Sequence, residues 1–235
     1  VVFLLVIAFC PAVTGAVTLD CNSAVTLEEL FDCIKGNMPL SGDGYTAPTA
    51  QQLSDLRVVM WKMLNGDTTI DLPASISSIM EFKRFHDYDN GRTYSVLMEV
   101  QDADDDGMVD NGFGTFIVYN VAERELNIAS AHPVYDMNTG KQSIRIFKYT
   151  AARSLSLAGT HRNASTTDSA CQSSYKQSDV AHNTDNMFFA ATQELIDYYG
   201  ANTWYQIQFH AIGASTCTTD VFISHGEHQD THPVG

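Results

Sequence analysis

Helical and extended periodicities alternate along this chain, and most changes of period fall near a capping residue, a glycine or a proline. Thr26-Leu27-Glu28-Glu29 has the form of a capping box and predicts a short helix ending near Lys35-Gly36. Residues 37–48 gather Gly, Pro, Ser and Asp and read as a loop. Thr49 caps a second helix that runs to Leu64 and is closed by Asn65-Gly66. Leu53, Leu56, Val59, Met60 and Met63 recur there at helical spacing. From about Arg92 the pattern changes. Residues 94–100 and 115–121 predict strands joined by an acidic loop, and 126–129 predict a third. A helix over 139–153, a strand over 155–158 and an amphipathic helix over 186–199, closed by Gly200, follow. Strands over 204–209 and 220–223 complete the series.

Strands alternating with helices predict an α/β fold: a mixed, mostly parallel central sheet with helices on both faces, of the phosphorylase/hydrolase-like kind. Residues 17–90 predict a small N-terminal helical cap that packs on the core and carries no chemistry of its own. The α/β catalytic core is expected over 91–235. Residues 1–16 stand apart. An unbroken apolar run from Val1 to Phe9 stops at Pro11 and reaches the small residues Val13-Thr14-Gly15-Ala16, as a secretory signal peptide does. A membrane span needs roughly 20 apolar residues, more than this run offers. No basic segment precedes it, so the signal reads as incomplete at its start, and the core as open at its end. The expected location is extracellular, with no membrane attachment once the leader is removed.

That location changes the reading of the cysteines. Cys10 leaves with the leader, and Cys21, Cys33, Cys171 and Cys217 remain, an even number in an oxidising route. Two disulfides are expected. Cys21–Cys33 bracket a short helix, which leaves Cys171–Cys217 as the second pair. A tetrathiolate zinc site would need C-x-x-C spacing, which is absent. Asn163-Ala164-Ser165 is a glycosylation sequon. The charge is strongly acidic, 28 Asp and Glu against 13 Lys and Arg. Such a chain repels phosphate backbones, which argues against nucleic acid as a partner and leaves a small-molecule or peptide-like substrate.

The candidate chemistry sits in four histidine segments, each where a predicted strand runs out into a loop or turn: His132, His161, His182 and His210. In α/β folds, ligands bind in the crevice outside the carboxyl ends of the strands, so distant segments can build one site. His132 and Asp136 share a turn, and His210 ends a later strand. Two imidazoles and a carboxylate suit a catalytic zinc with one position left for water. His161-Arg162 offers a donor fork for an anionic substrate, with pairing to an acid such as Asp179 as the structural alternative. Asp179 and His182 lie in one loop, where the carboxylate could orient the imidazole for proton transfer. A calcium-like start, Asp102, Asp104, Asp106, Gly107 and onward to Asp110, lacks the glutamate an EF-hand needs, since Phe113 stands there. A shallow calcium site or a solvated hairpin tip are its two readings.

The order strand-His-loop-acid, helix, strand ending Ala158-Gly159, then strand ending Phe209-His210 resembles the zinc carboxypeptidase superfamily, most of all its poly-γ-glutamate hydrolase-like branch. The resemblance covers residues 126–224 on short motifs. It implies zinc ligands at His132, Asp136 and His210. The acid is Asp where that superfamily has Glu, at a different spacing. The glutamate general base has no clear counterpart, Glu227 being the only glutamate downstream of His210. The leading expectation is a secreted zinc hydrolase of an amide or peptide-type bond. Two others stand beside it: a metal-independent phosphoryl or ester hydrolase using His161, Arg162 and His182, and a non-catalytic secreted calcium-binding protein.

Overall fold

A computed structural model describes residues 17–42 and 44–211. The expected leader, Cys217, the strand at 220–223 and Glu227 lie outside the described residues. The two early helices form where capping predicts them. The first, α1 (Leu27–Gly36), and the second, α2 (Ala50–Leu64), each begin with a complete capping box, at Thr26/Glu29 and Thr49/Gln52.

Residues 80–87, left unassigned by periodicity, form a strand. After a short β1 (Val17–Thr18), β2 (Met80–Asp87) pairs along its whole length with β3 (Arg92–Glu99) as an antiparallel hairpin. The remaining elements are β4 (Gln101–Asp102), which pairs with β1, then β5 (Thr115–Val118), β6 (Arg124–Ser130), α3 (Thr139–Thr150), β7 (Ala152–Leu157), α4 (Met187–Tyr199) and β8 (Tyr205–Phe209). The main sheet is six-stranded and mixed, ordered β2-β3-β5-β7-β6-β8. β2, β3, β5 and β7 are antiparallel in turn, whereas β6 is parallel to both β7 and β8. The parallel character expected of most of the sheet is thus confined to its second half. The reason is connectivity: β2 and β3 are joined by a tight turn, which permits only antiparallel pairing, while α3 supplies the crossover from β6 to β7. α3 stops at Ala151, whose φ of 46° is left-handed, so β7 starts three residues earlier than its apolar run suggests.

Alternation divides the strand residues between two buried clusters. Val96, Met98, Ile117, Ile128 and Leu155 join Leu30 and Phe31 of α1 and Ile144 and Phe147 of α3. Leu97, Phe116 and Val118 join Leu56, Met60 and Met63 of α2 and Ala191 and Leu195 of α4. The Cys21–Cys33 disulfide is formed and ties the entry segment to α1. Among the described residues no helix is long and apolar enough to cross a membrane.

Candidate metal and proton-transfer site

The parallel half of the sheet sends three chain segments out on one edge. β6 ends at Ser130, β7 at Leu157 and β8 at Phe209, and the register pairs Ser130 with both Leu157 and Phe209. His132 and His210 therefore leave neighbouring strands side by side, with ring centroids 5.1 Å apart. Pro133, which fixes φ and has no N–H for a ladder, keeps the strand from resuming after His132. The chain then makes one helical turn, in which Asp136 N donates to His132 O at 2.8 Å, and this folds the Asp136 carboxylate back over the histidine. Asp136 Oδ2 lies 3.3 Å from Nδ1 of His132 and 3.3 Å from Nδ1 of His210. One ligand atom from each of the three residues lies within 4.8 Å of the other two. His132 and Asp136 are buried, while the His210 side chain is 41% exposed, so the cluster is open on one side.

Sequence spacing does not reveal the second carboxylate at His132. Asp179, 1% exposed, reaches in from the long loop between β7 and α4, and its Oδ1 lies 2.9 Å from His132 Nε2. The same oxygen lies 2.9 Å from Nδ1 of His182, which a turn (His182 N to Asp179 O, 3.0 Å) brings back over it. Oδ2 of Asp179 takes Nη2 of Arg162 as an ion-pair partner, outside hydrogen-bonding alignment. Arg162, expected to face an anionic substrate, is thus committed through one nitrogen to Asp179. The guanidinium carbon lies 5.2 Å from the Tyr135 ring centroid and 5.6 Å from that of Tyr175. His161 stands at the rim, edge-on to Tyr135 at 5.0 Å, with Nδ1 accepting from Asn163 N at 3.1 Å. Tyr135 and Tyr175 carry no catalytic signature in sequence. Only the position of Tyr135, inside the His132–Asp136 turn, could have drawn attention to it.

The electrostatics follow from burial set against pairing. Burial pulls the His132 pKa down, but hydrogen bonds to Asp136 and Asp179 and the charge of Asp179 outweigh it and raise it overall. Burial pushes Asp136 up, yet its bonds to His132 and His210 hold it well below the usual carboxylate range. Asp179 is held down at about 2 in the same way, by His132, His182 and Arg162 against burial. His161 moves the other way: burial, then the charges of Arg162 and His132, lower it.

The donor inventory is unusual. If His132 donates from Nε2 to Asp179, its Nδ1 carries a lone pair that faces the Asp136 carboxylate. Two lone pairs do not attract, so either a second proton or a cation has to lie between them. The donor set of two imidazole nitrogens and one carboxylate oxygen is the kind that zinc takes, with a carboxylate behind one histidine fixing its tautomer.

The other candidates fall elsewhere. Asp102, Asp104 and Asp106 each bring an oxygen within 4.8 Å of the others; Asp110 is not in that group, its carboxylate accepting from Ala103 N. No helices flank this loop, which lies between β4 and β5. Asn163 is exposed beside Arg162. Cys171 is exposed and forms no disulfide among the described residues, and its expected partner, Cys217, lies outside them. Comparison with family models, with curated proteins and with solved structures gives no match.

Proposed function

We propose that this protein is a secreted zinc-dependent hydrolase that cleaves an amide-type bond in a peptide-like or anionic substrate. The observation that carries the reading is the convergence of His132 Nδ1, His210 Nδ1 and Asp136 Oδ2, with the outer nitrogen of His132 assigned to buried Asp179. His132, Asp136 and His210 hold the metal in this reading. Zinc, when bound, would supply Lewis acidity and lower the pKa of a bound water toward ~7. The chain's own groups do the rest. Asp179 keeps the His132 proton on Nε2 and so keeps Nδ1 free as a ligand. His182, with Nδ1 bonded to Asp179, offers Nε2 to take and return a proton, the role left open by the missing glutamate. His161 accepts at Nδ1, so its neutral ring carries the proton on Nε2 and can donate to developing negative charge. Arg162 keeps its nitrogens other than Nη2 for an anionic group of the substrate. Helices on both faces of the sheet are the layering that the two buried clusters favour, with α1 in one cluster and α2 in the other.

Metal analysis of the purified chain tests this reading. About one transition-metal ion per chain is expected, falling towards zero in His132→Ala and His210→Ala. No stoichiometric metal, or unchanged content in His132→Ala, overturns it. Hydrolysis of aryl phosphates that survives chelation would instead support the metal-independent use of His161, Arg162 and His182.

A further inference from the structure

The site contains a closed cycle of contacts in which one member, Tyr175, has no role in the chemistry above. Asp179 Oδ1 bonds His182 Nδ1 at 2.9 Å. The His182 ring stacks on the Tyr175 ring, with centroids 3.6 Å apart and planes within 4°. The Tyr175 ring lies 5.6 Å from the Arg162 guanidinium carbon, and Arg162 Nη2 returns to Asp179 Oδ2. Each of the four residues thus touches two others of the cycle.

We infer that Tyr175 is a positioning residue for His182, fixing the plane of the imidazole whose edge Asp179 holds. This rests on the reading of His182 as the proton-handling group. A single N–H···O bond leaves the ring free to turn about the bond axis and to swing off it, which would release Nδ1 from Asp179 and admit the other tautomer; a coplanar stack removes both freedoms. Aromatic pairs left to themselves prefer offset or edge-on arrangements, so this close parallel stack is imposed by its surroundings. The surroundings are equal to it. Tyr175 sits on a turn closed by Tyr175 N to Gln172 O at 3.0 Å and Ser169 N to Tyr175 O at 2.8 Å. The neighbouring Asp168–Lys176 bridge is doubled by an Nζ–Oδ1 contact of 2.6 Å. Arg162 then braces the ring and the carboxylate together, so both anchors of His182 are themselves tied. The result is one tautomer, Nδ1–H, with Nε2 presented in one orientation and without a hydrogen-bond partner among the described residues.

The test compares Tyr175→Phe, which keeps the stack, with Tyr175→Leu, which loses it; Tyr175→Gln replaces the latter if the leucine variant does not fold. The imidazole nitrogen resonances of His182 report its tautomer directly. Native protein and Tyr175→Phe are expected to show a single Nδ1–H form, and Tyr175→Leu a mixture of both. With a turned-over substrate in hand, kcat falls about ten-fold in Tyr175→Leu, with KM and metal content unchanged, and recovers in Tyr175→Phe. An unaltered His182 tautomer in the leucine variant overturns the inference. The resonance measurement needs neither metal nor substrate, so the inference can hold even where the zinc reading fails, and fail where that reading holds.

Discussion

The two halves of the sheet are built from similar apolar strands, yet they do different things. In the β2-β3-β5 half the strands run antiparallel, so successive chain ends alternate between the two edges. Its polar residues are spent on the frame. Lys148 Nζ, buried beneath the β2–β3 turn, meets Glu28 at 2.6 Å, Asp89 at 2.9 Å and Asp87 at 3.0 Å, and so ties α3, α1 and the hairpin together. In the β7-β6-β8 half the strands are parallel, their carboxyl ends share one edge, and the polar residues converge on His132. Both halves bury charge. What separates them is whether the buried groups leave donor atoms unspent. Lys148 uses its three protons on three carboxylates, whereas the His132 cluster ends with Nδ1 atoms turned toward one carboxylate oxygen.

Replacing the central charge of each cluster should separate frame from site most sharply. Asp179→Ala removes the partner of His132, His182 and Arg162, and Lys148→Met leaves buried Asp87 without a counter-charge, held only by the amides of Leu27 and Asp89. Each is expected to cost about 3–5 kcal/mol, because the charge left behind is unpaired in a dry setting. Chemical denaturation should therefore rank the two together. Metal affinity should not: a drop of roughly 10–100-fold is expected in Asp179→Ala, and no change in Lys148→Met. Equal losses of metal in both variants would mean that the halves are not independent.

Gly159 lies where the halves meet. A Cβ there would sit on the backbone of Gly114 and Gly112, with no flexible side chain to give way. Gly159→Ala should cost about 1–3 kcal/mol and displace the segment that leads to His161 and Arg162. Melting and metal content should both respond. A variant as stable as the native chain would show that β5 and β7 can part at this edge without cost.

Glu99 gives the frame a pH dependence. It accepts from Asn111 N at 2.7 Å, Asn111 Nδ2 at 3.0 Å and Phe113 N at 2.5 Å, but burial outweighs these donors and lifts its pKa to about 7 from 4.5. A carboxyl whose pKa is higher in the folded chain stabilises most below its unfolded value. That stabilisation is therefore complete below pH 4.5 and is lost as pH rises through 7, by roughly 3 kcal/mol at most. Glu99→Gln should lower stability overall and flatten this window in a series of melts from pH 4.5 to 8. A native profile no steeper than that of the variant would contradict it.

The same contrast explains what sequence could reveal. The helices were legible because capping boxes and apolar spacing are local. The meeting of His132, Asp136 and His210 was legible because the His132–Asp136 turn is local and parallel strands share an edge. β2 was not: residues 80–87 alternate poorly, and what fixes them is pairing with β3 along eight positions. Asp179 beside His182 could be read from three-residue spacing. Asp179 beside His132 could not, since the loop that carries it has no periodicity and crosses 47 positions to reach its partner. Arg162 went the same way, its pairing with Asp179 one of two readings that only the fold separates.

The smallest effects give the finest comparison, and helix caps supply it. Thr49 caps α2 far from the histidines, with Oγ1 accepting from Gln52 N at 3.2 Å. Asn186 caps α4, with Oδ1 accepting from Phe189 N at 2.8 Å, but its Nδ2 also donates to Asn183 O at 2.5 Å, next to His182. Each side chain accepts from one amide of the first turn, and Thr49→Ala and Asn186→Ala should each cost about 1 kcal/mol through the lost cap. Only the second loosens the turn that presents His182. Thermal melts should therefore shift by similar amounts, while kcat falls a few-fold in Asn186→Ala alone and metal content holds in both. Equal losses of kcat would trace to stability, and the loop before α4 would then be a connector with no part in aiming His182.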